Sequence, residues 1–310
     1  MGHAGGYGRR RPLPLTRPAP NYASIMDPVR IACVRYLNTA PLVEGLDKLE
    51  GVTLIPTVPS RIADAVASGE ADVGLVSIVD AVLGPVPLAL LPVGMIGCDG
   101  PTHTVRLFST VPISKIRTLH ADTDSHTSVV LARVLLKHVH GIWPEVVPFD
   151  ARERVEHPAK TAAPVLGGGS LDEAWPESVL LIGDKVVTDH PPEGRYPHQL
   201  DLGEAWKALT GLPFVYAIWM CRQAEFGNPR VARAAQVLDR QRRHNATRLD
   251  WIVAKRAPEA RWPIDVASRY VLELLHYTVG EREREGVAKF LTLAHGQGLV
   301  PMPRLVWADA

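Results

Sequence analysis

Short apolar runs with little alternation recur through the first two thirds of the chain. They are RIAC at 30–33, VTLIP at 52–56, ADVGLVSIV at 71–79, LALLPVGMIGC at 88–98, VRLFST at 105–110, SVLLIGDKVV at 178–187 and FVYAIWM at 214–220. Runs of this kind suit strands covered on both faces. Between them the spacing turns helical. Ile62, Ala65 and Val66 share one face of a helix that Ser60 should cap and Gly69 should stop. Val130, Leu131, Val134 and Leu135 mark another, and Val43–Leu49 a short one. This alternation predicts a largely parallel sheet with helices on both sides. From Asn228 onward the pattern is helical. Asn228-Pro229 is a start signal, and the pattern of Val231, Ala234 and Leu238 continues to about Ala257. A second helix opens at Asp265 and passes Tyr270 and Tyr277 to Gly280, and a third covers Glu281–Ala294.

The run Arg30–Leu42 gives way to polar Asn38 and Thr39 before Pro41 caps it. Ligands of open α/β sheets bind beyond the carboxyl ends of strands, so this edge is a candidate site. Small polar residues fall at other strand ends and helix starts: Ser77, Thr102, Thr104, the Ser125-His126-Thr127-Ser128 cluster, and Gly183-Asp184. A helix beginning at that cluster would favour an anion by ~0.3–1 kcal/mol through its free N–H groups and dipole. Simple N-capping by Ser125 or Thr127 accounts for the same residues. Ser77 reads equally as a ligand contact or a turn former, Asp99 fits a turn better than an acid or base, and Asp184 shares that ambiguity. Of the histidines only His103 and His126 fall in these stretches, where an ordinary pKa of ~6.5 would let either act as a base.

At 310 residues the chain exceeds the usual reach of one core, which points to two domains. The strands at 105–110 and 214–220 flank an inserted middle third, so one domain is read as 28–110 with 214–310 and its C-terminal helices, the other as 111–213. Residues 1–27 are read as a tail, with Met26 as an alternative start, and 150–178, with Gly167-Gly168-Gly169, as a surface loop. The net charge of +1 gives no global pull toward nucleic acid or membrane. Arg240-Gln241-Arg242-Arg243 is read as a solvated helix face, and no apolar run reaches the ~18 residues of a membrane span. Three widely spaced cysteines, Cys33, Cys98 and Cys221, fit neither a disulfide framework nor a zinc site, and agree with a reducing cytoplasm. G-x-G-x-x-G, Walker A, G-x-S-x-G and H-E-x-x-H are all missing, which weighs against dinucleotide, P-loop, hydrolase and zincin chemistry.

Several pieces in fixed order carry a resemblance. They are YLN-x-x-PL at 36–42, ASGEADVGLVS at 67–77, GCDGP at 97–101, S-x-TSV at 125–129, LLIGD at 180–184, TGLPFVYAIW at 210–219, and YTVG with EG-x-x-KF between 277 and 290. Together they resemble the chorismate dehydratases of the futalosine route to menaquinone, over about 29–303. The resemblance implies an α/β fold of two lobes, like the type II periplasmic binding proteins, with a ligand cleft between them. It implies cofactor-free, metal-free loss of water from a small molecule, chorismate, to give 3-[(1-carboxyvinyl)oxy]benzoate. The family's strand-end asparagine falls on Asn38 and its hydroxyl residue after GCDGP on Thr104, where serine is common. These two are the expected catalytic residues. Tyr36, Ser77, Thr102, Ser125, His126, Thr127, Ser128, Gly183 and Asp184 are the expected substrate contacts; His126 stands where arginine is common. Alternatives are a dihydroxynaphthoate synthase, which opens on a different motif, a non-catalytic carboxylate-binding protein, and a ligand-sensing regulator.

Overall fold

The computed structural model describes Met1 and residues 27–122, 124–150, 175–192 and 194–308. Nearly all of the expected tail and the glycine run at 167–169 lie outside those residues. The strands are β1 (Val29–Cys33), β2 (Val52–Pro56), β3 (Val73–Ser77), β4 (Leu88–Cys98), β5 (Val105–Ser109), β6 (Thr118–Asp122), β7 (Glu145–Phe149), β8 (Ser178–Ile182), β9 (His198–Asp201), β10 (Phe214–Arg222), β11 (Leu275–His276) and β12 (Val306–Trp307). The helices are α1 (Ala40–Val43), α2 (Pro59–Ser68), α3 (Asp80–Leu83), α4 (His126–His140), α5 (Lys185–Thr188), α6 (Leu202–Thr210), α7 (Pro229–Ala246), α8 (Leu249–Glu259), α9 (Ile264–Ser268) and α10 (Glu281–Gly296).

Two sheets divide the strands into two lobes. The first runs β2-β1-β3-β10-β4-β11, with β12 beside β4, and the second runs β7-β6-β8-β5-β9. Both repeat one plan. A parallel trio is followed by an antiparallel strand, β10 or β5, and then by β4 with β11 and β12 in the first sheet and by β9 in the second. In each sheet the antiparallel strand is the first one the chain makes after crossing from the other lobe. β5 therefore does not belong with the first domain, where a boundary at 110 would put it. It pairs from Val105↔Ile182 to Ser109↔Ser178 with β8 and on its other edge with β9, so the crossing lies at 99–104. Apolar runs mark a strand's existence but not its partner.

The alternation of side chains along the first sheet sends Ile31, Leu75 and Trp219 to one face and Ala32, Val76 and Ile218 to the other. On the first face α7 packs across β1 and β4; on the second α2 packs against β3. That second core continues into the other lobe through Leu107, Leu119, Leu180 and Trp206.

Local chemistry shifts several helix ends. Pro41 opens α1 at its first turn instead of ending the strand, and the expected helix at 43–49 breaks at Gly45, whose φ is 86°. Val58 rather than Ser60 precedes α2, because Pro59 takes the first helical position. The expected helix from Asp265 is interrupted by a π-helical turn, Arg269–Leu274, and then by β11. Asn228 does cap α7, accepting from Arg230 N. Within the basic run on α7, Gln241 is buried against the Glu44 carbonyl and Arg242 donates to Val93 O, so only part of it is a solvated face.

Candidate active site

Where strand ends of the two sheets meet, the lobes enclose a cavity with about 710 Å³ of empty space, open solvent at its mouth included. Tyr36 and Asn38 reach it from beyond β1, Ser77 from the end of β3, and Thr102 and Thr104 from the crossing. The second lobe adds Ser125, Ser128 and Gly183. Tyr216, Tyr270 and Asp124 complete its polar lining; none of these stood out in the sequence. Tyr270 lay inside an ordinary helical pattern.

Asn38 is held in place by its neighbour. Thr39, fully buried, donates its hydroxyl to Val34 O (3.0 Å) and Tyr36 O (2.7 Å), which turns the chain off the sheet. The Asn38 Oδ1 atom is buried without a hydrogen-bond partner. Its side chain meets the Tyr270 hydroxyl, which lies 2.7 Å from Thr104 Oγ1. Burial raises the Tyr270 pKa well above the ordinary phenol value, so the group stays protonated.

Thr104 sits in a tight turn with its N–H 2.8 Å from Thr102 O and His103 at φ 65°, the left-handed region that non-glycine residues rarely adopt. Asp201 supports this turn. Its buried carboxylate accepts from Thr102 N (2.9 Å) and His103 N (2.7 Å), and also from Gly203 N and Glu204 N at the start of α6. Helix α6 approaches so closely that a Cβ at Gly203 would stand 2.6 Å from Gly100 O. His103 itself faces a different groove, beside Arg106 and Tyr196, and burial lowers its pKa.

Ser125 is the N-cap of α4, accepting from Ser128 N at 3.3 Å. Thr127 is buried and turned to the first lobe, its Oγ1 2.5 Å from Ser77 Oγ and 3.1 Å from Val79 N, while Thr127 N donates to Ser77 Oγ at 3.3 Å. The Thr127 and Ser128 N–H groups are therefore already occupied. Ser125 and Ser128 line the cavity, with their hydroxyls 3.1 Å apart.

His126 and Asp184 are placed elsewhere than expected. Asp184 lines an adjacent, more open groove with Arg35 and Lys185, although Gly183 remains at the cavity. His126 faces a groove outside the cavity that it shares with Asp64, Asp80 and Asp122, and its Nδ1 lies 2.7 Å from Asp80 Oδ1. This contact joins α4 of the second lobe to α3 of the first. Hydrogen bonding to Asp80, partly opposed by burial, raises the His126 pKa above its ordinary value. A raised folded-state value means the link is fully present below the ordinary histidine range and is lost as pH rises through the raised pKa. The lobes are expected to part more readily as pH rises above the ordinary histidine range. Small-angle scattering should show a growing radius of gyration in the wild type and none of that pH dependence in His126→Gln; identical profiles would remove the link from the account.

Close to the cavity, Lys185 lies buried between Asp122 and Asp124, with its Nζ 2.8 Å from Asp124 Oδ2 and in contact with Asp122 Oδ2. Asp124 also accepts from the Tyr36 hydroxyl at 3.4 Å. Burial raises the Asp122 pKa despite the ammonium beside it. Asp99, in the turn before the crossing, is tied to Lys207 (2.5 Å) and Arg282 (3.2 Å) and does not reach the cavity. Among the described residues no group of three or more His, Cys, Asp or Glu is arranged to hold a metal, and no helix is long and apolar enough to cross a membrane.

Solved structures with this fold include the AF1704 protein of Archaeoglobus fulgidus, at TM-score 0.61 and 13% identity, covering 88% of this chain and 98% of that one. The alkanesulfonate-binding protein SsuA of Xanthomonas axonopodis pv. citri aligns at TM-score 0.61 and 14% identity over 90% of this chain and 97% of its own. These likenesses establish the periplasmic-binding-protein fold, in agreement with the two-lobed α/β expectation. A chorismate dehydratase of Thermus thermophilus is 31% identical over 238 residues, 72% of this chain and 80% of that protein. The family model described as menaquinone biosynthesis matches residues 29–296. The chain belongs to that menaquinone biosynthesis family.

Proposed function

We propose that this chain is a carbon–oxygen lyase that dehydrates chorismate to 3-[(1-carboxyvinyl)oxy]benzoate, without a cofactor, as the futalosine route requires. The observation that carries the reading is the pairing, in one cavity between the lobes, of Asn38 from the end of β1 with Thr104 from the crossing, in a chain similar to a chorismate dehydratase. The net change is loss of a ring proton and the ring hydroxyl as one water, with the electron pair of the broken C–H bond completing an aromatic ring. Aromatisation supplies much of the driving force, so the protein mainly orients the substrate and hydrogen-bonds developing charge.

The lining suits that task. Asn38 and Thr104 would bind the enolpyruvyl and hydroxyl groups, and the Ser125 and Ser128 hydroxyls, with Ser77 beside them, would hold a carboxylate. The cavity's own carboxylate, Asp124, is committed to Lys185. We therefore assign proton acceptance to a carboxylate of the substrate. The buried free thiols at 33, 98 and 221 agree with a reducing cytoplasm as the place of reaction.

Incubation of the purified chain with chorismate tests this directly. An aromatic absorbance should appear together with a product lighter than the substrate by one water. Binding of chorismate with no turnover would favour a carboxylate receptor of the kind the fold also supports, and turnover of a different pathway acid would favour the naphthoate synthase.

A further inference from the structure

We propose that Tyr270 is a positioning residue that aims the Thr104 hydroxyl at the substrate's departing ring hydroxyl, an inference that rests on the dehydratase reading above. Tyr270 is fully enclosed, and its hydroxyl stands between the two residues assigned to the chemistry, 2.7 Å from Thr104 Oγ1 and in contact with the Asn38 side chain. The ring is fixed on its other side by Trp262, stacked at 5.0 Å between centroids and 18° between planes. It is delivered there by the π-helical turn Arg269–Leu274, a local departure of the kind that often marks functional sites.

Relative acidity sets the direction of this chain. A phenol has one proton to give. The 2.7 Å contact admits either hydroxyl as donor, and the phenol, the more acidic of the two, is the stronger one. The tyrosine proton then goes to Thr104 Oγ1. With an incoming hydrogen bond already on its oxygen, and a β-branched side chain stiff at χ1, Thr104 presents its own proton to the cavity. Serine, which lacks the β-methyl, would lack that stiffness.

Chorismate turnover by the full chain is to be compared among wild type, Tyr270→Phe, Thr104→Val and the double variant. In Y270F kcat should fall roughly 10- to 100-fold with KM changed less than about threefold. In the Thr104→Val background the same change should cost no more than about twofold further, because the hydroxyl it aims is already gone. Multiplying losses in the double variant, or Y270F at the wild-type rate, would overturn the inference. Should Y270F fold poorly, 3,5-difluorotyrosine at 270 keeps ring and hydroxyl while making the phenol more acidic. In that variant kcat should stay within about threefold of wild type, because the donor to Thr104 is kept, and a loss as large as that expected of Y270F would overturn the donor role. A wild type inert toward chorismate overturns the dehydratase reading and this inference with it; an active wild type with an unaffected Y270F overturns this inference alone.

Discussion

Asn38→Ala is expected to lower kcat for chorismate by about 10²- to 10³-fold, the loss typical of removing one preorganised donor from a developing charge, while leaving the protein at least as stable as before. The two halves follow from the same geometry. The scaffold at this corner is Thr39, bonded to Val34 O and Tyr36 O, and alanine disturbs neither contact. What alanine removes is an amide whose oxygen is buried and unpartnered. A buried orphan acceptor costs about 1–3 kcal/mol, so its deletion offsets the packing lost with the side chain. Asn38 would then be a group kept for function at the expense of stability. Steady-state kinetics and a thermal melt on one preparation check both halves. Full turnover in N38A would refute the assignment, and a melting point many degrees lower would mean that Asn38 is structural.

Lys185→Met should destabilise the fold by about 3–5 kcal/mol, the range for removing one partner of a buried ion cluster. The lysine side chain is 4% exposed and Asp122 1%, so the Asp122 carboxylate can recruit little water once the ammonium is gone, whereas Asp124, 24% exposed, keeps some. The ion pair of Arg230 with Asp27, whose aspartate is 64% exposed, makes the useful contrast, since pairs of that kind contribute at most about 1 kcal/mol. pH gives the sign. Asp122 already has a raised pKa through burial, and losing Lys185 raises it further, so the variant's deficit should shrink as pH falls and the carboxyl takes a proton. Urea titrations at neutral and acidic pH read this directly. A loss under about 1 kcal/mol at neutral pH would mean that the cluster is hydrated and unimportant.

How far the sequence could be read varied with the kind of information needed. Strands such as β3 and β10 were legible because burial on both faces leaves a continuous apolar run. The pairing of β5 was not, because hydrogen bonding to β8 across the 68 positions between Ser109 and Ser178 leaves no local trace. Within the site, Asn38, Ser77 and Thr104 were visible as polar residues where apolar runs stop. His126 was misplaced for a reason available beforehand. Residues three apart on a helix share a face and adjacent ones do not, so a helix that turns Ser125 and Ser128 to the cavity turns His126 away. Asp201 and Tyr270 were invisible as site residues. One reads as a helix cap and the other as part of a helix face, and each acquires its second role only from a partner far away, Thr102 or Thr104.

The placement of β10 between β3 and β4 bears on how the molecule is made. Residues 99–213 leave the ribosome after β4 and before β10, so the first sheet waits with a central position vacant and two apolar edges unpaired. The second sheet has no such delay, because among the described residues its strands lie between 105 and 201. The guest lobe can thus complete its sheet while its host is still open, and the strand that closes the host emerges directly behind it.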